Sequence, residues 1–410
     1  MNRLTNASKS VDLFGAGKHG YSDSIPTRLD SAAQNPIQEE LARIVENLGG
    51  GTLSSTRYNQ CASAINLART RDAFGEPIIE TLSTTTYQMN TVCGGGTNAA
   101  PYLMAAGASG KLMTKALNAE LTGTSSWSAA ISAGSSYTGS FTAAVWVPSI
   151  AKWIVVGTAG EIQSLTTGGT ATRLKVVTGT PAVTGIGYDG GSLLVAVTGS
   201  GDGKVWTADT SALTTWTDRG YIDGGSSSAF KNVASGGGRV ASIGSNLSVW
   251  STATGGTGAT WISAAITATG VPGSLAYNAE LGLWLAVGAA TSGYTDAAAW
   301  SSPDLIAWTY CGAFFTGSAS VYFSSVSACP GGFVCGLTEA SGCSIVCTSD
   351  GTAWKYLSRT RTPLLSTGIP HDVQHCYAGQ TSLTLLAINE TPAPASSVAG
   401  VIYRGRRISP

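Results

Sequence analysis

Short apolar runs that end in small residues recur along the chain from about residue 85 onward. Seven of them stand out: 102–107, 153–157, 193–198, 240–244, 284–288, 333–336 and 383–388. Each leads into a turn and a more polar stretch, as expected of a buried strand in a hairpin. The runs are about 40 to 52 residues apart, the period of a four-stranded propeller blade. The pattern therefore predicts a mainly β fold, a seven-bladed β-propeller over residues 85–410, with six or eight blades as alternatives.

A second repeated feature is a turn that contains an aspartate and leads to a tryptophan. The three examples are Asp209 with Trp216, Asp304 with Trp308, and Asp350 with Trp354. In such a turn the carboxylate accepts hydrogen bonds from backbone amides, and the indole packs between blades. These turns resemble degenerate Asp-box turns of the sialidase-like and photosynthesis-factor-like propellers. The resemblance implies a structural role for the six residues.

The N-terminal region has a different pattern. Residues 1–34 lack apolar periodicity and contain glycines and a proline, so we expect an extended arm that orders only against a partner. A helical anchor is predicted over residues 35–84, because Ile37, Leu41 and Ile44 recur at helical spacing after a capping asparagine and a proline. Helices this short are marginal alone, so the anchor is expected to pack on neighbouring copies.

The segments 13–21, 35–46, 53–55, 59–60 and 64–65 together resemble the virion-attachment region of tail fibre and tail appendage proteins of tailed phages. The resemblance covers about a sixth of the chain. It implies docking on other tail or neck proteins, commonly as a homotrimer. The residues that it assigns to attachment are Phe14, Gly15, Gly17, His19, Gly20, Ile37, Leu41 and Ile44. We therefore expect a structural virion protein that presents its propeller to the host surface, where a glycan or protein is the receptor.

The charge balance narrows the range of partners. The 23 basic residues equal the 23 acidic ones, and charged residues make up only 11% of the chain. Such a chain has no overall field that would attract nucleic acid or an anionic membrane. We also find no signal peptide and no apolar run near the ~20 residues that span a bilayer. The expected location is the phage tail, after synthesis in the host cytoplasm, with no membrane insertion.

The metal-ligating residue types do not predict a metal site. The eight cysteines follow no compact disulfide spacing, so we expect them to be reduced and mostly buried. Cys329, Cys335, Cys343 and Cys347 lack the Cys-x-x-Cys spacing of a zinc knuckle. His371 and His375 would form a metal pair only on a helix, whereas the preceding proline favours a loop that leads into a strand. The sequence thus predicts no cofactor.

Candidate catalytic groups are present but form no recognisable set. A sialidase needs converging arginines, and a glycosidase needs two carboxylates at a suitable separation. The arginines of the propeller occupy dissimilar positions: Arg173, Arg219, Arg239, Arg359 and Arg361. The candidate carboxylates are Asp202, Asp218, Glu280, Asp296 and Glu339, mostly in turns. We expect no enzymatic activity; the alternatives are a polysaccharide-degrading tail enzyme, sialidase-like or glycosidase-like, and a purely structural tail or baseplate component.

Overall fold

The computed structural model describes residues 89–356 and the backbone of three later strands, 368–378, 381–390 and 400–404. Gaps in the first range are 98–99, 117–126, 129–130, 200–201, 223–228, 245–246, 256, 259, 267–269, 292, 317–319 and 340–341. The predicted arm over 1–34 and helical anchor over 35–84 lie outside the described residues. So do the eight residues that the resemblance assigns to virion attachment.

The described strands form antiparallel sheets, and each sheet uses strands that follow one another along the chain. The first three sheets are β1 Met89–Gly96, β2 Pro101–Gly107, β3 Lys111–Ala116 and β4 Ile131–Ser132; β5 Phe141–Val147, β6 Lys152–Gly157, β7 Glu161–Thr166 and β8 Ala171–Val176; and β9 Val183–Tyr188, β10 Leu193–Thr198, β11 Lys204–Asp209 and β12 Thr217–Tyr221.

The next three four-stranded sheets are β13 Phe230–Gly236, β14 Arg239–Gly244, β15 Ser248–Ala253 and β16 Ile262–Ala265; β17 Val271–Asn278, β18 Leu283–Ala289, β19 Ala297–Ser302 and β20 Thr309–Phe314; and β21 Tyr322–Cys329, β22 Gly332–Glu339, β23 Gly342–Thr348 and β24 Lys355–Tyr356. A last sheet has three strands, β25 Gly368–Ala378, β26 Thr381–Glu390 and β27 Gly400–Arg404.

The sheets stand in a ring. The first strand of each sheet contacts the first strand of the next, and β25 contacts both β21 and β1. This arrangement of radial sheets around an axis confirms a mainly β propeller. The blade count differs from the seven predicted: six four-stranded blades are present, which was an alternative, because the seventh apolar run lies in β26 of the three-stranded sheet. The role of the run 399–403 was open from sequence; β27 pairs with β26 and not with an early strand.

The position of the seven apolar runs in the sheets explains why they are apolar. All seven lie in the second strand of a sheet. In the six four-stranded sheets, neighbouring sheets cover both faces of this strand, so it reads as a continuous apolar run. In β6, for example, Ile154, Val155 and Val156 are fully buried. Ile154 and Val156 pack in one cluster with Leu194 and Trp206 of the following sheet, so the hydrophobic core lies between sheets.

Helical structure is confined to single 3-10 turns among the described residues. These turns are Ala108–Gly110, Gly134–Ser136, Pro148–Ile150 and Thr158–Gly160. In the part of the chain described, therefore, no helix has the length and apolarity to cross a membrane.

Candidate functional site in the axial channel

Each first strand carries an irregularity near its start that takes one residue, or two in β13, out of the pairing with the second strand. The residues passed over in the pairing between first and second strands are Asn90, Thr142, Thr184, Lys231, Gly273, Ser324 and His371, with Asn232 also passed over in β13. Such bulges re-aim side chains and are common next to functional sites. Because the first strands are parallel to one another around the ring, these residues lie at the same end of the axis. We call them the bulge ring.

A cavity lies at the level of the bulge ring. Its lining residues come from the first strands of six successive sheets, so the cavity can only lie on the axis of the ring. The centres of water-sized molecules can occupy about 110 Å³ of it, enough for several waters by the ~10–15 Å³ that each requires. Polar side chains dominate the lining: Thr91, Thr142, Thr184, Lys231, Asn232, Ser274, Ser324 and Ser325. The cavity is therefore suited to a polar ligand.

Three of the bulge-ring side chains join adjacent sheets. Asn90 Nδ2 donates to the Phe141 carbonyl at 2.9 Å, Thr142 Oγ1 to the Val183 carbonyl at 2.5 Å, and Thr184 Oγ1 to the Phe230 carbonyl at 2.6 Å. The first, second, third and fourth sheets are thus linked around the cavity by equivalent bonds. The hydroxyl protons of the two threonines are used in these bonds, and their oxygen lone pairs remain able to accept.

The junctions between the fourth and fifth sheets and between the fifth and sixth sheets use a hydrogen bond from a backbone amide to a side-chain oxygen. The Leu275 amide donates to Asn232 Oδ1 at 3.2 Å, and the Val326 amide donates to Ser274 Oγ at 3.1 Å. Lys231 of β13 and Gly273 of β17 take part in neither of these bonds. At Gly273 an added Cβ would meet nothing within 4 Å. The lining consequently opens beside Lys231.

Lys231 is the only charged side chain among the described residues that line the cavity. It is half-buried, and within the described part of the chain it has neither a hydrogen-bond partner nor an ion-pair partner. Burial lowers the pKa of its ammonium group. Lys204 differs, because its Nζ lies 3.8 Å from Asp202 Oδ1 and 3.6 Å from Asp218 Oδ2, and the nearby Asp218 carboxylate raises its pKa.

The aspartates of the predicted turns accept backbone hydrogen bonds. Asp209 Oδ1 accepts from the Ser211 amide at 2.8 Å, Asp304 Oδ1 from the Ile306 and Ala307 amides at 2.8 and 3.0 Å, and Asp350 Oδ1 from the Thr352 amide at 2.8 Å. The Ala307 amide is the main cause of the lowered pKa of Asp304. The pKa of Asp209 is also lowered, mainly by the hydrogen bond that it accepts from the Ser211 hydroxyl.

The tryptophans of these turns pack inward. Trp216 and Trp308 are buried, and the indole nitrogens of Trp216 and Trp354 donate to carbonyls three residues earlier at 2.8 and 3.0 Å. The turns join the third and fourth strands, which places them at the opposite end of the sheets from the bulge ring. Their assignment as Asp-box turns stays a prediction.

The other candidate acids and arginines do not converge on the cavity. Glu280 accepts from the Gly331 amide at 2.9 Å, and Glu339 accepts from Ser344 Oγ and Tyr356 OH at 2.7 and 2.8 Å. Arg173 pairs with Glu161 at 2.7 Å, Arg219 donates to Thr207 Oγ1 at 2.8 Å, and Arg239 donates to Ser251 Oγ at 2.9 Å. Asp296 lies in the turn before β19, outside the cavity lining. Arg359 and Arg361 lie outside the described residues.

The candidate metal ligands are also separated. His371 and His375 both lie in β25, and four residues of extended chain span about 13 Å. Cys93, Cys329, Cys335 and Cys347 are buried thiols, and Cys311 is half-buried. Burial raises the pKa of Cys329 and Cys335 well above the usual range. Across the described residues, no three His, Cys, Asp or Glu side chains are grouped so as to hold a metal ion.

Solved structures show how widely this architecture is shared. A catalytically inactive virginiamycin B lyase from Staphylococcus aureus with quinupristin has a TM-score of 0.58 at 11% identity, over 80% of this chain and 99% of that one. YCF48 bound to D1 peptide has a TM-score of 0.53 at 12% identity, over 81% and 94%. The WD40 repeats of RRP9 give 0.59 at 12% identity, over 80% and 97%.

The likeness shows the fold alone. The three proteins include an enzyme and a WD40 propeller, and at this identity the architecture does not distinguish between catalysis and binding. No family model and no curated protein matches the sequence.

Proposed function

We propose that this chain is a non-enzymatic recognition protein of a tailed-phage particle, a tail fibre or tail appendage. Its N-terminal region docks on tail or neck proteins, with three copies associated there, and its propeller presents the axial cavity to the host surface. The observation that carries the recognition role is this cavity, in which a half-buried lysine without a described partner faces hydroxyl and amide side chains. Such a lining provides binding groups, whereas its described residues include no pair of carboxylates.

The attachment part of the proposal comes from the sequence resemblance over residues 10–70. One of the similar structures is a lyase, but that likeness concerns the fold and does not favour the enzyme alternative. A glycosidase would require two carboxylates at one cleft. Asp202 and Asp218 lie near each other, but both face Lys204 Nζ, at 3.8 and 3.6 Å. The carboxylates of Glu280 and Glu339 accept hydrogen bonds on other sheets. We therefore favour recognition over hydrolysis.

Immunogold electron microscopy of phage particles tests the attachment. An antibody against the propeller should label the tail or neck of particles that carry the full chain. Deletion of residues 1–70 should abolish the label, while circular dichroism of the purified deletion variant still shows a β fold. Particles without label despite synthesis of the full chain would refute the virion assignment.

Binding of the purified full chain to host cells tests the recognition role separately. The expected result is saturable binding that a neutral, unrelated propeller does not show. Labelled particles together with a chain that binds no cells would instead support a structural tail or baseplate component. Release of reducing sugar from host polysaccharide by the chain would establish the enzyme alternative.

A further inference from the structure

The strongest unassigned feature of the molecule is the combination of Lys231 with the polar lining of the axial cavity. A lysine that is half-buried without a described partner costs stability, since the ammonium loses hydration and gains no counter-charge. At the equivalent bulge-ring positions Thr142 and Thr184 join adjacent sheets. A threonine at position 231 would continue that pattern, so Lys231 is not required by the fold.

The charge of the described lining residues favours an anionic ligand. Among the described lining residues there is one cation and no carboxylate. A carboxylate placed at Lys231 Nζ would form a charge-assisted hydrogen bond in a partly desolvated site, where such bonds are strongest. Gly273 leaves the space beside Lys231 open, because a Cβ there would touch nothing within 4 Å. The ligand therefore has room next to the ammonium group.

The neutral lining groups indicate what else the ligand carries. Thr142 and Thr184 use their protons in bonds to the next sheet and offer acceptor lone pairs. Ser274 Oγ accepts the Val326 amide and keeps its proton available to donate. A lining with both donors and acceptors matches a polyhydroxylated ligand, whose hydroxyls both donate and accept. Apolar peptide side chains would leave these groups unpaired at a cost.

We propose that the axial cavity binds the carboxylate end of an acidic sugar, with Lys231 as the cationic partner and the hydroxyls of the bulge ring as partners of the sugar's hydroxyls. The inference rests on the proposed recognition function, since it names the ligand class for the same propeller. The seventh first strand, β25, carries His371 at the passed-over position and Asp372 directly after it, so the test includes a variant at Asp372.

Calorimetric titration of the purified full chain tests the inference with defined probes: glucuronate, galacturonate, N-acetylneuraminate, glucose and acetate. At least one acidic sugar should bind better than both glucose and acetate. Lys231→Met should weaken that binding by about tenfold or more, the loss expected for one charge-assisted bond. Gly273→Leu should abolish it by filling the cavity.

Two matched variants separate this site from general effects. Lys204→Met removes a lysine that is already paired with Asp202 and Asp218, and binding should be unchanged. Circular dichroism and thermal melting of every variant should show a folded chain. Equal binding of acetate and acidic sugar would overturn the sugar assignment, and so would preference for a short peptide with a free C-terminal carboxylate.

Two further outcomes would overturn the site itself. One is acidic-sugar binding that Lys231→Met leaves intact. The other is acidic-sugar binding that appears only in the Asp372→Asn variant. That result would mean that the Asp372 carboxylate neutralises Lys231 in the native chain. Host-cell binding keeps this failure distinct from failure of the proposed function: cells bound equally by wild type and Lys231→Met would refute the site and retain the recognition role. Acidic-sugar binding without host-cell binding would instead retain the site and refute the recognition role.

Discussion

Replacement of Gly95 by alanine is expected to destabilise the propeller through a direct clash. An added Cβ would lie 2.6 Å from Cε3 of Trp146 and 2.7 Å from Cε2 of Trp153, distances well inside van der Waals contact. The two indoles pack edge to face with centroids 4.8 Å apart, and the Trp153 indole nitrogen donates to the Gly94 carbonyl at 3.2 Å. Trp153 is fully buried, so it has little room to move.

The magnitude follows from two opposing effects. Overpacking of a filled core costs about 1–3 kcal/mol. Replacing glycine by alanine also restricts the unfolded chain, which returns about 0.4–1 kcal/mol where the backbone conformation permits it. The net expectation for Gly95→Ala is therefore a loss of about 1–2 kcal/mol in the free energy of unfolding.

Urea denaturation followed by tryptophan fluorescence measures this loss, with Gly168→Ala as the control. Gly168 lies exposed in the turn between β7 and β8, and its added Cβ would meet only Thr166 Oγ1 at 3.9 Å. The control should therefore be neutral or slightly stabilising. An unchanged midpoint for Gly95→Ala would refute the reasoning, since the indole pair would then have relaxed without cost.

Three other changes have defined expected outcomes. Tyr137→Phe removes a hydroxyl that donates to the Ser140 carbonyl at 2.9 Å, and thermal melting should show a loss of about 1 kcal/mol; an unchanged melting temperature would contradict this. Asp304→Asn should lower the melting temperature at pH 7, because the folded chain holds the pKa of this carboxylate below its usual value. A carboxylate with a lowered folded pKa stabilises above its unfolded pKa and loses that effect as pH falls through the folded pKa, so the difference from wild type should shrink as the pH falls below the ordinary pKa of aspartate; a constant difference would count against it. Lys231→Met should raise the free energy of unfolding by about 0.5–2 kcal/mol in urea, whereas a decrease would show that the ammonium group is satisfied in the native chain.

The architecture was predictable because its second strands are buried on both faces. Ile154, Val155 and Val156 are all buried because neighbouring sheets cover both faces of their strand. Such runs recur once in each sheet, so the repeat period was visible in the sequence. The first strands were harder to recognise, since one end of each faces a polar cavity. The number of four-stranded blades could not be predicted from the pattern. An apolar run indicates that a sheet is present, but it does not indicate how many strands that sheet has.

The axial site was not found from sequence, although a signal exists in retrospect. Near the start of several first strands a large apolar residue is followed by a polar residue and then a smaller residue, as in Phe141-Thr142-Ala143 and Phe323-Ser324-Ser325. In that alignment Lys231 follows Phe230 where the two preceding sheets have threonine. The deviation has meaning only once the bulges set the register, because a single lysine after phenylalanine is ordinary on any surface strand.

The order of the strands has a kinetic consequence. Every described sheet is a meander of consecutive strands, so its internal contacts are local in sequence and can form early. One interface differs, since β25 meets β1 from the far end of the described chain. That docking joins segments that are far apart in sequence, so among the sheet interfaces it closes the longest loop. We expect the final folding phase to report this closure, so substitutions between β1 and β25 should slow it more than equally destabilising substitutions elsewhere.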